Sequence, residues 1–141
     1  MAERDRFPVV VHVMLRRSDQ LFLLRRANTG FMDGYHVMPG GHLHHGESVL
    51  AGAERECREE AGVEAHLRPR CVLPYISGRH QGFNFVFEAH QFEGEPGVAE
   101  ADLFDACDWY PLQALPDKTA PWIADVLNMP ASEWFRELEY R

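Results

Sequence analysis

Residues 55–62 read RECREEAG and place Glu56, Glu59 and Glu60 within five positions. On a helix of about 3.6 residues per turn, these carboxylates fall within an arc of roughly 100°. Like charges three and four apart repel, at a cost of a few tenths of a kcal/mol per pair. Taken alone, a charge-rich helix flank is more often simply solvated. Three anions on one flank are also what a hard divalent cation needs, because such an ion prefers oxygen ligands. Mg²⁺, or Mn²⁺ in its place, would keep some waters and complete its shell with phosphate oxygens.

These carboxylates need a helix to carry them. Ser48 suits an N-cap and Gly62 a C-terminal stop, which predicts a helix over 49–61. Leu50, Ala53, Cys57 and Ala61 give it a buried stripe, and the acidic flank adjoins that stripe. Ahead of it, Pro39-Gly40-Gly41 excludes helix and lets backbone approach a ligand closely.

Residues 8–15 and 21–26 read as strands of a hairpin, followed by a loop at 27–35 and a short extended YHVM. VEAHLRPRCVLPYI and 83–92 read as extended segments separated by a loop around SGRHQG. Residues 93–102 form a polar Gly/Pro loop, CDWYPL a short strand and LQALPD a turn. APWIADVLNM and ASEWFRELEY predict one or two closing helices. There is no repeat and no linker. The reading is one α/β domain over 1–141, without regular βαβ alternation.

The net charge of −8 opposes binding to a nucleic-acid polymer, although a divalent cation can still bring phosphates to an acidic protein. No apolar run approaches the ~18 residues of a membrane helix. The start, MAERDRFPVV, is charged where a secretory leader would be apolar. Cys57, Cys71 and Cys107 are odd in number and form no C-x-x-C pair, so neither a disulfide framework nor a thiolate zinc site is indicated. A cytoplasmic, non-membrane protein is expected.

Residues 41–63, GHLHHGESVLAGAERECREEAGV, resemble the Nudix box G-x5-E-x7-R-E-U-x-E-E-x-G-U. Gly41, Glu47, Arg55, Glu56, Glu59, Glu60, Gly62 and Val63 match, and Cys57 stands at the first bulky aliphatic position. MPGGH, FEGEPGVAE and WYPLQALPD are similar to flanking stretches of MutT-like members. The resemblance implies the Nudix fold, an α/β/α sandwich with a mixed central sheet. It implies Glu56 and Glu60 as the main metal ligands, Glu59 directly or through water, and the Gly40 carbonyl beside them. It makes Arg55 the partner of Glu56 and Glu47, with Gly41 beside the substrate and Glu47 and Gly62 structural. Glu100 in the 93–102 loop matches a further glutamate serving metal and water, and Arg26 an arginine close to substrate phosphates. The general base is Glu100 or Glu60.

The implied activity is Mg²⁺-dependent hydrolysis of a nucleoside triphosphate, oxidised ones included, or of a related nucleoside diphosphate derivative. The products would be a monophosphate with pyrophosphate or X-phosphate. A small nucleotide is the expected partner, and a homodimer is one assembly open to such a chain. The rival reading is a non-catalytic nucleotide sensor, which would usually lose a box glutamate and commonly carry a DNA-binding domain. An isoprenoid-diphosphate isomerase would need a pocket cysteine, which Cys57 on the apolar stripe does not supply. His42, His44 and His45 invite a zinc reading but occupy the variable part of the box, so loop histidines are expected. Trp109, Trp122 and Trp134 are expected as core or interface aromatics.

Overall fold

Alternation along the strands builds two cores, one on each face of a sheet. The computed structural model describes residues 3–140. Met1, Ala2 and Arg141, which the single-domain and leader readings included, lie outside the described residues. The elements run in chain order β1 (Val9–Arg17), β2 (Gln20–Arg26), β3 (His36–Val37), β4 (Gly40–His42) and α1 (Val49–Ala61). They continue as β5 (Glu64–Ala65), β6 (Arg68–Ser77), β7 (His80–Ala89), β8 (Phe92–Glu93), β9 (Phe104–Pro111), α2 (Pro121–Leu127) and β10 (Leu138–Tyr140).

The main sheet orders as β10-β6-β7-β1-β2-β3, with β4 also on β1 and β9 on β2. It is mixed: β1 runs parallel to β7 and β10 parallel to β6, and the other pairs are antiparallel. Val11, Val13 and Leu15 of β1 pack with Ala53, Cys57 and Ala61 of α1. Met14, facing the other way, joins Leu21, Leu23, Ile123 and Val126 in the core beneath α2. A helix on each face is the expected α/β/α sandwich. Among the described residues no helix is long and apolar enough to cross a membrane.

Several local expectations need correction. The β1–β2 hairpin pairs only next to its turn, at Arg16–Leu21 and Arg17–Gln20, because β4 and β7 take the rest of β1. The 83–92 segment is broken after Ala89, and β8 leaves the main sheet to pair with β5. A bulge between Pro69 and Cys71 disrupts β6, as a residue without an N–H requires.

Residues 131–140 form no helix. They run extended beside β6, where the Val72 N–H donates to the Trp134 carbonyl and the Arg136 N–H to the Val72 carbonyl. An otherwise open sheet edge offers more backbone pairing than a short helix after Pro130. Only Leu138 of this stretch is buried, and Trp134 is exposed rather than in the core.

Candidate active site

The site begins where the Gly40–Gly41 pair of β4 meets α1. In β4, Gly40 lies opposite His12 and Gly41 opposite Val11. A Cβ on Gly40 would collide with the Val11 carbonyl oxygen, and one on Gly41 would lie 2.6 Å from Glu56 Oε1. The glycine pair therefore lets α1 press its carboxylates onto the β4 backbone. The Gly40 N–H donates to Glu60 Oε1 at 2.8 Å.

The helix ends as its caps predict. Ser48 Oγ accepts from the Ala51 N–H, and Gly62, at φ 74°, turns the chain away. Leu50 is exposed, contrary to the stripe proposed for it, and Gly52, Glu56 and Glu60 are buried with Ala53, Cys57 and Ala61. The strip against β1 and β4 thus lies further round the helix, towards the glutamates.

Arg55 ties the site together. Its Nε and Nη2 fork onto the two Glu47 oxygens at 3.0 and 2.8 Å, and Nη1 reaches Glu56 Oε1 at 2.9 Å and Glu59 Oε2 at 3.1 Å. Nη2 also donates to the His42 carbonyl, so all five N–H donors are used. The Arg55 guanidinium and the His44 N–H hold the Glu47 carboxyl down at about 2. Paired carboxylates in turn raise the Arg55 pKa above its ordinary range.

Glu56 and Glu60 are the buried charged side chains among the described residues. Burial pushes the Glu60 carboxyl up to about 8, with the Gly40 N–H opposing and Glu56 and Glu100 reinforcing. Burial also raises Glu56, against the pull of Arg55. Folded Glu60 thus holds its proton to about pH 8, whereas an exposed carboxyl releases it near 4.5. Between those values the folded chain binds more protons than the unfolded one, so metal-free stability falls as pH rises. A cation that competes with this proton binds more tightly over the same rise. Melting temperatures from pH 5 to 8.5, with and without Mg²⁺, are expected to diverge increasingly as pH rises.

The 93–102 loop brings Glu100 to the same place. The Ala99 N–H donates to the Glu60 carbonyl and the Gly97 N–H to the Ala61 carbonyl, fastening the loop to the end of α1. Glu100 is half-buried, and burial and then the Glu59 charge raise its pKa. Arg26, at the end of β2, is close enough to oppose the rise at Glu60, and its Nε donates to the Phe31 carbonyl. Glu59 is half exposed and shares Arg55 Nη1 with Glu56, so it stands at the solvent side of the buried pair.

Sequence reasoning missed several supports. Gly52 gives α1 a flat spot where a Cβ would meet Leu43 at 2.6 Å and Glu47 at 3.0 Å. Glu95 takes a two-pronged bond from Arg17 and one from Trp109 Nε1, anchoring the loop that carries Glu100. His12, opposite Gly40, bonds Asn84 through Nε2 and packs 4.1 Å from the Trp122 ring. Burial lowers its pKa to about 4, so it is neutral. Only the glycine inside a helical pattern was a visible signal.

The donors suit a hard cation. Each buried carboxylate spends one oxygen on a protein donor, Glu56 on Arg55 and Glu60 on Gly40. With the glycine backbone beside them, the available ligands are all oxygen. Among the described residues no three His, Cys, Asp or Glu side chains close on one point. The chain offers part of a shell, which a hard divalent cation would complete with water and substrate oxygens. His42, His44 and His45 are exposed.

The sandwich and the Arg55-centred carboxylates define the class. The NUDIX domain family model matches residues 5–129, and the chain belongs to the Nudix hydrolase family. The human 8-oxo-dGDP phosphatase NUDT18 is 30% identical over 111 residues, covering 77% of this chain and 33% of that protein. An NAD-capped RNA hydrolase, NudC of Pseudomonas aeruginosa, is 33% identical over 108 residues, covering 74% of this chain and 36% of that protein. The chain therefore spans about a third of the length of these curated relatives. The crystal structure of a MutT NUDIX hydrolase from Burkholderia pseudomallei superposes with a TM-score of 0.81 at 27% identity, over 87% of this chain and 97% of that one.

Proposed function

We propose that this chain uses Mg²⁺ to hydrolyse a diphosphate linkage in a nucleoside triphosphate, oxidised ones included, or in a related nucleoside diphosphate derivative. Release of a nucleoside monophosphate with pyrophosphate or X-phosphate would follow. The observation that carries the reading is the pair Glu56 and Glu60, buried against the Gly40–Gly41 backbone and braced by Arg55. Two acids buried beside each other must keep a proton or hold a cation, and only a cation lets both ionise. Names of similar proteins, citing 8-oxo-dGDP and NAD-capped RNA, support a nucleotide substrate without selecting one.

Glu56, Glu60 and the Gly40 carbonyl would hold the metal, with Glu59 joining directly or through water. Bound Mg²⁺ would neutralise phosphoryl oxygens and acidify the attacking water. Arg55 positions Glu56 and Glu47 by filling their lone pairs. Glu100 is the better of the two candidate bases, because the Gly40 N–H already occupies Glu60 Oε1. Arg26 would meet the phosphates beside Glu60. Gly41 leaves room for them, and Gly62 ends the helix so that the 93–102 loop can return. The sensor alternative is disfavoured because every box glutamate is present.

The test is phosphate release from common and oxidised dNTPs, ADP-ribose, dinucleoside polyphosphates, nucleotide sugars and capped RNA ends, with Mg²⁺ at mildly alkaline pH. Phosphate that appears only when inorganic pyrophosphatase is added is the expected signature on a triphosphate. Silence across the panel, with tight Mg²⁺–nucleotide binding, would favour the sensor.

A further inference from the structure

An open cleft of about 690 Å³ lies beside the carboxylate centre and shares Arg26 with it. Its walls are the end of β2, the 27–34 loop, His36, Asp105 and residues 116–118. Lys118, the sole lysine in the chain, lines it. The other charges there differ in how far they are satisfied. Arg25 donates to Asp105 at 2.7 Å, which neutralises both. Asp33 accepts from the Thr29 hydroxyl and from the Thr29 and Gly30 N–H groups, holding the 27–34 loop in shape. Arg26 donates Nε to the Phe31 carbonyl and lies 5.6 Å over the Phe31 ring, which leaves its Nη1 and Nη2 donors without a hydrogen-bond partner among the described residues. The Lys118 ammonium has no partner among the described residues, and Asp117 has none either.

The chemistry of a ligand follows from what is left. Two unspent cations, Arg26 and Lys118, favour a phosphate. Yet the lining balances Arg25, Arg26 and Lys118 against Asp33, Asp105 and Asp117, three charges of each sign. A bare polyphosphate would meet as much repulsion as attraction there. A ligand with one phosphate and several hydroxyls would use both signs, with Asp117 and Asn28 accepting from hydroxyls. The lining holds no Phe, Tyr or Trp, and its one imidazole, His36, is tied to the Lys118 carbonyl and packed edge-on to Tyr110, so a nucleobase finds no large aromatic face.

We propose that this cleft is a sugar-phosphate subsite, in which Lys118 and Arg26 hold the phosphate and Asp117 and Asn28 hold the sugar hydroxyls. It rests on the hydrolase reading for its place in a substrate: the phosphorylated sugar on the far side of the scissile linkage. The binding itself requires no turnover.

The test is a titration of the metal-free full chain with ribose 5-phosphate, followed by amide shifts, in parallel with ribose and inorganic phosphate. Shifts are expected at Asn28, Gly34, His36 and Lys118, with each half-ligand binding more weakly than ribose 5-phosphate. Lys118→Ala is expected to weaken ribose 5-phosphate about tenfold, the loss of one charge-assisted bond. Lys118→Arg is expected to restore most of it. Lys118 is exposed and lends the fold only its carbonyl, so either variant should fold as the parent does. Shifts elsewhere, no measurable binding, equal affinity for phosphate alone, or indifference to Lys118→Ala would each overturn the subsite. None of these results bears on the hydrolysis panel, so failure of the subsite and failure of the hydrolase reading remain distinct.

Discussion

Glu60→Gln is expected to cost about 10²- to 10³-fold in turnover, part of the several kcal/mol of charge stabilisation that a well-held metal ion supplies, while making the metal-free chain more stable at pH 8. The two effects share one cause. The Glu60 carboxylate is buried and close to Glu56 and Glu100, an environment that holds its pKa near 8. Above that pH the folded chain keeps an uncompensated anion, and the amide removes it. Gln can still accept the Gly40 N–H through its carbonyl oxygen, so the β4–α1 contact should survive. What it cannot do is donate a full negative charge to a cation. Turnover with saturating Mg²⁺ and melting temperature without metal read the two effects separately. Loss of both activity and stability would mean that Glu60 is a structural acid and not a metal-facing one.

Arg55→Ala should be the most damaging single change to the fold of the site. It removes five donors and leaves Glu47 and Glu56 facing each other's surroundings without a counter-charge. The Arg55 and Glu47 side chains are 16% and 18% exposed, so solvent does little to screen the loss. The largest loss falls on buried Glu56, which is left without its guanidinium; breaking a buried pair costs about 3 kcal/mol at its low end, and Glu56 can reach that low end by taking up a proton. The melting temperature should drop on the order of 10 °C, and apparent Mn²⁺ affinity about 10- to 100-fold, as for other residues that orient ligands. Arg55→Lys should recover charge but not the fork, and so only part of either quantity. A melting temperature within a degree or two of the parent would show that Glu47 and Glu56 do not depend on Arg55.

What could be read from the chain, and what could not, divides by range. The helix over 49–61 was legible because Ser48 and Gly62 mark its ends chemically and its apolar spacing is local. The carboxylates were legible because their spacing on that helix is fixed by its pitch. The face they occupy was less so: Leu50 looked buried and is not, since the pairing of β4 with β1 decides which side of α1 is covered. Residues 131–140 were misread as helix for the same reason. Their apolar pattern suits a helix end, but the β6 edge beside them decides the backbone. The Glu95 clamp on the Glu100 loop joins Arg17, Glu95 and Trp109 across three strands' worth of sequence, and nothing local in any of them announces it.

The most direct measurement is Mn²⁺ binding to the parent chain and to Glu60→Gln at pH 6 and pH 8, followed by the paramagnetic resonance of free Mn²⁺. The parent should bind, and more tightly at pH 8, where proton competition for Glu60 fades. Glu60→Gln should lose the site and its pH dependence together. Unchanged binding in the variant, or tighter binding at pH 6, would contradict a metal centre built on Glu56 and Glu60.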